Sequence, residues 1–392
     1  MRQADRVRTV AVVGASLAGL SAARALRAQG YDGRLIVVGD EIHRPYDRPP
    51  LSKEFLAGTY GEAELALETD DEDLDAEWLL GTRAAGLDTG ARELRLADGR
   101  RITADGFVVA TGAAARTLPG SENLAGVHTL RTLDDARALK AELAAGGRLV
   151  VIGGGFIGAE VASTAQALGL EATVVEAAPT PLAGPLGADM GAVVSGLHTD
   201  HGVRLLCGVG VKGLGGERRV DAVLLEDGRS LPADIVVVGV GARPCVEWLA
   251  GSGVPLDNGV KCGADGRTGV PGVVAVGDCA NWYDPRTGGH RRVEHWTGAL
   301  ERPAAAVAAL LAGDGAAPPG TPRPPYFWSD QYGVRIQFAG HAAGADSVTV
   351  EAGSADARDV LAVYRRGETP VAVLGMNQPR LFTRWRKQLA AA

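Results

Sequence analysis

The chain has 392 residues, 55 of them glycine, with 46% apolar and 22% charged residues. That length builds two or three domains with sizeable cores, so neither a disulfide framework nor a structural metal is required. A net charge of −7, from 40 basic and 47 acidic residues, counts against nucleic acid as the main partner, and no run approaches the ~20 apolar residues of a membrane span.

The N-terminus enters a strand pattern at 9–13 without the apolar core of a signal peptide, so a cytoplasmic place is expected. The run is short, apolar and rich in β-branched residues, as a parallel strand buried on both faces should be. Gly14-Ala15-Ser16-Leu17-Ala18-Gly19 follows it, then a helical pattern over 20–29 stopped by Gly30. A second apolar run at 35–38 leads into Gly39-Asp40-Glu41. Next come Y-D-R-P-P-L-S-K at 46–53 and an apolar run from 107 that ends in Ala110-Thr111-Gly112.

About 139 residues after the first glycine turn the whole unit recurs. Residues 148–152 are the strand and Gly153-Gly154-Gly155-Phe156-Ile157-Gly158 the turn. A helix is expected over 159–168, stopped by Gly169, then a strand at 172–175 and the acid Glu176. In such a unit Gly153 permits the tight turn, Gly155 lets backbone approach a pyrophosphate, and Gly158 packs helix on strand. The helix N-terminus presents N–H groups and positive dipole charge to the phosphates, and the acid can accept both ribose hydroxyls. Two copies, each between strand and helix, predict two dinucleotide sites. The first copy departs from the pattern, with Ser16 where the middle glycine stands. No Arg or Lys follows Glu176 before Arg204, so the second site should prefer NADH to NADPH, whose 2′-phosphate the carboxylate would repel.

Further along, the run at 273–276 ends in Gly277-Asp278, and 313–325, rich in Gly, Ala and Pro, reads as a linker. Short strands are expected at 334–338, 347–351, 360–364 and 371–376, and a closing helix at 381–389. The four cysteines, Cys207, Cys245, Cys262 and Cys279, form no C-x-x-C pair, so neither zinc nor a dithiol centre is signalled.

Taken in order, G-A-S-L-A-G, Y-D-R-P-P-L-S-K, A-T-G, G-G-G-F-I-G-A-E (153–160), V-G-D-C-A (276–280), V-E-H-W (293–296) and F-W-S-D-Q-Y (327–332) span the chain. This set resembles the FAD-dependent NAD(P)H:ferredoxin reductases of bacterial oxygenase systems. The resemblance implies an α/β fold, with two Rossmann-like dinucleotide-binding domains and a C-terminal α+β domain. It assigns 1–112 and 241–316 to FAD, 113–240 to NAD and 317–392 to the C-terminal domain, with punctuated crossings at 118–120 and 241–244.

By the same resemblance, Gly14, Ser16, Leu17 and Ala18 surround the FAD pyrophosphate, with Gly19 completing the turn. Asp40 or Glu41 holds the adenosine ribose, with Asp40 favoured, and Ala84 meets the adenine by its backbone. Arg48, Lys53 and Arg131 are expected on the flavin side, with Ala110, Thr111, Gly112, Gly277 and Asp278 also at FAD. Glu294, His295 and Trp296 complete that set, Trp296 lining the isoalloxazine, with His295 more a structural residue than an acid or base. Trp328 is expected at the exposed flavin edge. Gly153, Gly155, Phe156, Ile157, Gly158, Glu160, Glu176 and Gly241 belong to NAD. Lys53 and Glu160 are expected to form a partly buried ion pair that poises the flavin and orients the nicotinamide.

No cysteine precedes Cys207, so electrons should leave the flavin directly rather than through sulfur. A flavin takes two electrons as hydride and releases them singly, which suits an iron–sulfur ferredoxin. Arg365, Arg366, Arg380, Arg384, Arg386 and Lys387 form a local basic excess that would steer an acidic ferredoxin. The expected enzyme is an NADH-dependent ferredoxin reductase feeding a heme monooxygenase or a ring-hydroxylating dioxygenase, as a monomer or weak homodimer. Two alternatives stay open: a rubredoxin reductase or diaphorase, and an NAD-responsive redox-sensing flavoprotein of the apoptosis-inducing-factor type.

Overall fold

Each apolar run singled out above becomes a strand, and the runs assemble into two parallel sheets. The computed structural model describes residues 7–121, 124–313 and 323–391. It folds as two units: Met1–Asp47, Ala66–Ala114 and Arg243–Arg323 form the first, and Arg48–Leu65, Ala115–Ala242 and Pro324–Ala392 the second.

In the first unit the strand order is Val273–Ala275, Gly106–Val109, Thr9–Val13, Arg34–Val38, Ala76–Leu79, all parallel. Val10, Ala11, Val12, Ile36, Val37 and Val108 are buried, which accounts for the unbroken apolar runs. Helix Leu17–Ala28 packs against helix Trp296–Ala312. Its Leu20 and Leu26 are fully buried, each worth about 1.5–3 kcal/mol. The helix begins three residues before the predicted 20, because Ser16 is its N-cap and the glycine turn supplies its first turn. A three-stranded antiparallel meander over Ala84–Asp88, Glu93–Leu96 and Arg101–Thr103 was not expected from sequence.

The second unit repeats the design, with strand order Arg204–Cys207, Glu171–Glu176, Arg148–Ile152, Ile235–Val238, Val127–His128. Helix Leu133–Ala145 starts with a capping box, Thr132 with Asp135. Helices Phe156–Ala167 and Ala188–Asp200 belong to the same unit.

Beyond it, an antiparallel sheet runs in the order Tyr326–Gln331, Val334–Gly340, Thr369–Met376, Asp359–Arg366, Ser347–Ser354. Alternation divides its faces. Ile336, Phe338, Val360, Ala362 and Leu374 meet Leu186, Met190 and Leu197, while Ala339, Leu361, Val363 and Val373 meet Phe382 and Leu389 of helix Pro379–Ala391. The expected class, two parallel dinucleotide-type sheets with a C-terminal α+β domain, is what forms. By packing, 48–65 and the C-terminal sheet belong with the second unit. Most of the expected linker, 314–322, lies outside the described residues.

Candidate functional site

In the first unit the turn is set by backbone crowding. Gly14 has φ +122°, and a Cβ there would stand 2.0 Å from the Ala110 carbonyl oxygen; one at Gly19 would stand 1.8 Å from that of Gly14. Both glycines are therefore obligatory. Ser16 is different: its φ of −112° is ordinary extended backbone, so replacing glycine there costs no strain. Leu17 and Ala18 open the helix. Gly277, at φ +70°, allows the G-D turn against that helix, for a Cβ would stand 2.7 Å from that of Ala18. The Ala110 N–H donates to the Val13 carbonyl at 2.7 Å and the Thr111 hydroxyl to the Cys245 carbonyl at 2.6 Å. The Gly112 carbonyl accepts from the Cys245 N–H at 3.0 Å.

Around this turn, Asp40 lies 3.3 Å from Arg83, and Glu41 accepts the Tyr46 hydroxyl at 2.5 Å. Ala84 opens the first strand of the meander. Arg292 donates to the Asp278 carbonyl at 3.2 Å and pairs with Glu294. His295 is the N-cap of helix Trp296–Ala312, and the Trp296 indole donates to Asp47 at 2.7 Å.

The second unit carries the same turn. Gly153 has φ +102°, and a Cβ there would stand 2.3 Å from the Gly239 carbonyl oxygen; one at Gly158 would stand 2.3 Å from that of Gly153. Gly155 contrasts with them, since a Cβ would meet nothing within 4 Å. The space beside Gly155 is open, as a pyrophosphate requires. Glu176 is held at the turn, one carboxylate oxygen accepting the Gly154 N–H and the other the Ala178 N–H, both at 2.8 Å. Cys207 sits opposite Glu176 in register, and burial and that carboxylate raise its thiol pKa. Ile157 is exposed, Phe156 packs on Phe327 at 4.6 Å between centroids, and Gly241 takes φ +101°.

Both turns pass a test of fit. Helices Leu17–Ala28 and Phe156–Ala167 have no side-chain cap and no acid in the first turn, whereas helix Leu133–Ala145 has both. Their N–H groups are left to an anion.

The expected ion pair forms within the second unit. Lys53 Nζ lies 2.9 Å from Glu160 Oε2, and the side chains are 12% and 3% exposed. The residues around Lys53 are fixed by the short turn Pro49–Ser52. Its ammonium also donates to the Pro49 carbonyl at 2.9 Å, so its third N–H has no partner among the described residues. Arg48 donates to the Arg131 backbone carbonyl at 2.5 Å. Trp328 stacks on Tyr326 with centroids 6.1 Å apart, and Arg335 lies over its ring.

Three residues that sequence reading did not single out converge on Glu160: Ser52, Ser329 and, behind Ser329, Gln331. The signal was present in the L-S-K and F-W-S-D-Q-Y motifs but needed the strand register to read. The basic C-terminal set divides. Arg365 pairs with Glu351, Arg366 donates to the Gly344 carbonyl and Arg386 covers Tyr326, whereas Arg380, Arg384 and Lys387 are exposed.

Comparisons with known proteins agree with this geometry. Residues 8–302 match the pyridine nucleotide-disulphide oxidoreductase family and residues 326–392 a reductase C-terminal domain. The chain is 40% identical to the ferredoxin reductase component of chlorobenzene dioxygenase from Cupriavidus sp. (strain PS12), over 95% of this chain and 90% of that one. It is 38% identical to rhodocoxin reductase of Rhodococcus erythropolis, over 97% and 89%. Among solved structures, the covalent putidaredoxin reductase–putidaredoxin complex superposes with a TM-score of 0.93 at 34% identity, covering 99% of this chain and 94% of that one.

Proposed function

We propose an electron route for this chain, which belongs to the pyridine nucleotide-disulphide oxidoreductase family: it takes hydride from NADH onto FAD and passes single electrons to an iron–sulfur ferredoxin that feeds an oxygenase. The observation that carries this reading is the state of the thiols. None of the four cysteines is in a disulfide. Burial pushes the Cys279 thiol up to about 11 and raises that of Cys262 further. A thiol kept protonated is neither nucleophile nor relay, so the two buried thiols, Cys262 and Cys279, supply no sulfur path. Bound FAD supplies the conversion of a two-electron donor into one-electron steps.

The chain's own residues then have four tasks in this reading. The uncapped helix starts after Gly14 and Gly153 bind the pyrophosphates. Glu176, clamped by two backbone N–H groups, takes the adenosine ribose of NADH and repels a 2′-phosphate. Lys53, anchored by Glu160 and the Pro49 carbonyl, would offer its remaining N–H to the flavin half of bound FAD. Arg48 and Arg131 neutralise phosphate charge. Arg380, Arg384 and Lys387 steer an acidic ferredoxin, with Trp328 on the electron's way out. The reading places the enzyme in the cytoplasm. Its support is four cysteines outside any disulfide, which suit a reducing compartment.

The test is NADH-driven reduction of a purified acidic [2Fe–2S] ferredoxin across ionic strength. Reduction should be fast at low salt and fall steeply as salt rises. Equal rates at all salts would remove the steering role, and no ferredoxin reduction at any salt would remove the function.

A further inference from the structure

Glu160 is buried deep enough that each donor around it matters. Its Oε2 accepts the Ser52 hydroxyl at 2.5 Å and Lys53 Nζ at 2.9 Å. Its Oε1 accepts the Ser329 hydroxyl at 2.7 Å. Ser329 is 0% exposed and stands on strand Tyr326–Gln331, the first strand of the C-terminal sheet. Gln331, 1% exposed and on the same face of that strand, donates Nε2–H to Ser329 Oγ at 3.0 Å.

The chemistry of the donors fixes the direction of this chain. An ionised carboxylate only accepts, so the single hydroxyl hydrogen of Ser329 must point at Glu160. The Ser329 oxygen can then only accept from Gln331, which must present its NH₂ and not its carbonyl. Gln331 does so although its Oε1 is left buried with no partner among the described residues. Such an orphan is costly, and the opposite amide orientation would compete for the hydrogen that Glu160 needs. At the other end, Thr164 donates to the Ser52 carbonyl at 2.8 Å and ties Ser52 to the helix that carries Glu160.

We propose that Ser329, aimed by Gln331, is a positioning residue for the NADH-to-flavin step: it holds the Glu160 carboxylate in the rotamer that anchors Lys53. The C-terminal sheet is thereby part of the NADH half-reaction and not only a platform for the electron acceptor. This rests on the electron route proposed above. Loss of the Ser329 hydroxyl leaves Oε1 with no donor. The carboxylate then rotates between Ser52, Lys53 and solvent, and Lys53 loses its fixed direction.

Four holoenzymes test it: the natural protein, Ser329→Ala, Glu160→Gln and the double variant, each mixed anaerobically with NADH while flavin absorbance is followed. Ser329→Ala should slow flavin reduction about tenfold, the scale of one lost hydrogen bond to a charged group. It should also shift the reduction potential of the bound flavin and leave re-oxidation by ferricyanide unchanged. In the Glu160→Gln background the same change should cost less than about twofold, because Ser329 acts through Glu160. An unchanged rate and potential in Ser329→Ala, or a full effect that persists with Gln at 160, would overturn the proposal. If Ser329→Ala does not fold, Gln331→Leu carries the test, since it keeps the hydroxyl but frees its direction. Slower reduction and a shifted potential are then expected, and no change in either rejects the proposal. Failure of NADH to reduce the natural holoenzyme would overturn the electron route itself, and with it this inference. That outcome is distinct from a natural enzyme that works and a Ser329 variant that matches it.

Discussion

At the scale of single residues, the Lys53–Glu160 pair is a buried ion pair on which the fold leans. A carboxylate 3% exposed is tolerable only with its cation and its hydroxyl donors in place. Lys53→Met should destabilise the fold by about 3 kcal/mol, the usual cost of orphaning a buried charge. Lys53→Met with Glu160→Gln should recover part of that loss. Urea unfolding of the natural protein, Lys53→Met, Glu160→Gln and the double variant at neutral pH checks this; strictly additive losses would contradict the pairing. A second buried group acts through protons. His198 is 1% exposed, contacts the Tyr332 hydroxyl at 2.7 Å, and burial depresses its pKa to about 4. Its unfolded value is about 6.5, so the unfolded chain binds the proton first as pH falls. The stability it contributes is complete above about pH 6.5, declines below that, and is gone near pH 4, a loss of up to about 3 kcal/mol. His198→Gln should flatten the fall in unfolding free energy between pH 7 and 5, and an unchanged slope would count against a neutral buried imidazole. The ion pair was legible through the family resemblance, which sets the lysine of L-S-K beside the glutamate of G-G-G-F-I-G-A-E. Ser16, a departure on paper, costs no backbone strain because its backbone is extended.

At the scale of elements, the two glycine turns separate conformational need from ligand need. Gly153→Ala puts a methyl 2.3 Å from a carbonyl at positive φ, so it should lower Tm sharply or prevent folding. Gly155→Ala adds its methyl to open space at φ −73°. It should leave Tm unchanged while raising the KM for NADH about tenfold or more, because the methyl takes the place of phosphate. Equal Tm losses for both would mean that Gly155 is structural. Parallel strands and turn helices were readable because long β-branched runs and glycine turns have few other outcomes. Strand Tyr326–Gln331 was not read as a strand. Tyr326 and Trp328 lie on one face and Phe327, Ser329 and Gln331 on the other, and neither face is exposed, so polar alternation does not mark it. The meander over 84–103 escaped notice because its strands are three to five residues long, too short for periodicity to register.

For the whole molecule, the glycine excess and the scarcity of thiols describe one design from two sides. Glycines at 14, 19, 153 and 158 hold the two turns by backbone crowding alone, while none of the four cysteines is in a disulfide, which agrees with the proposed route of electrons outward to a separate protein. The family was legible from seven motifs in order, five of which sit at strand ends where backbone geometry constrains the sequence. What the sequence did not disclose was packing: residues 48–65 and the C-terminal sheet join the unit that carries Glu160, a grouping that depends on contacts far apart in the chain. The central claim is that NADH is converted to single electrons for an external iron–sulfur carrier. Anaerobic stopped-flow mixing of the holoenzyme with NADH and excess [2Fe–2S] ferredoxin, read at both chromophores, tests it most directly. The account predicts rapid flavin bleaching, then two ferredoxins reduced for each NADH consumed. A long-lived reduced flavin–NAD complex with the ferredoxin left oxidised would contradict it.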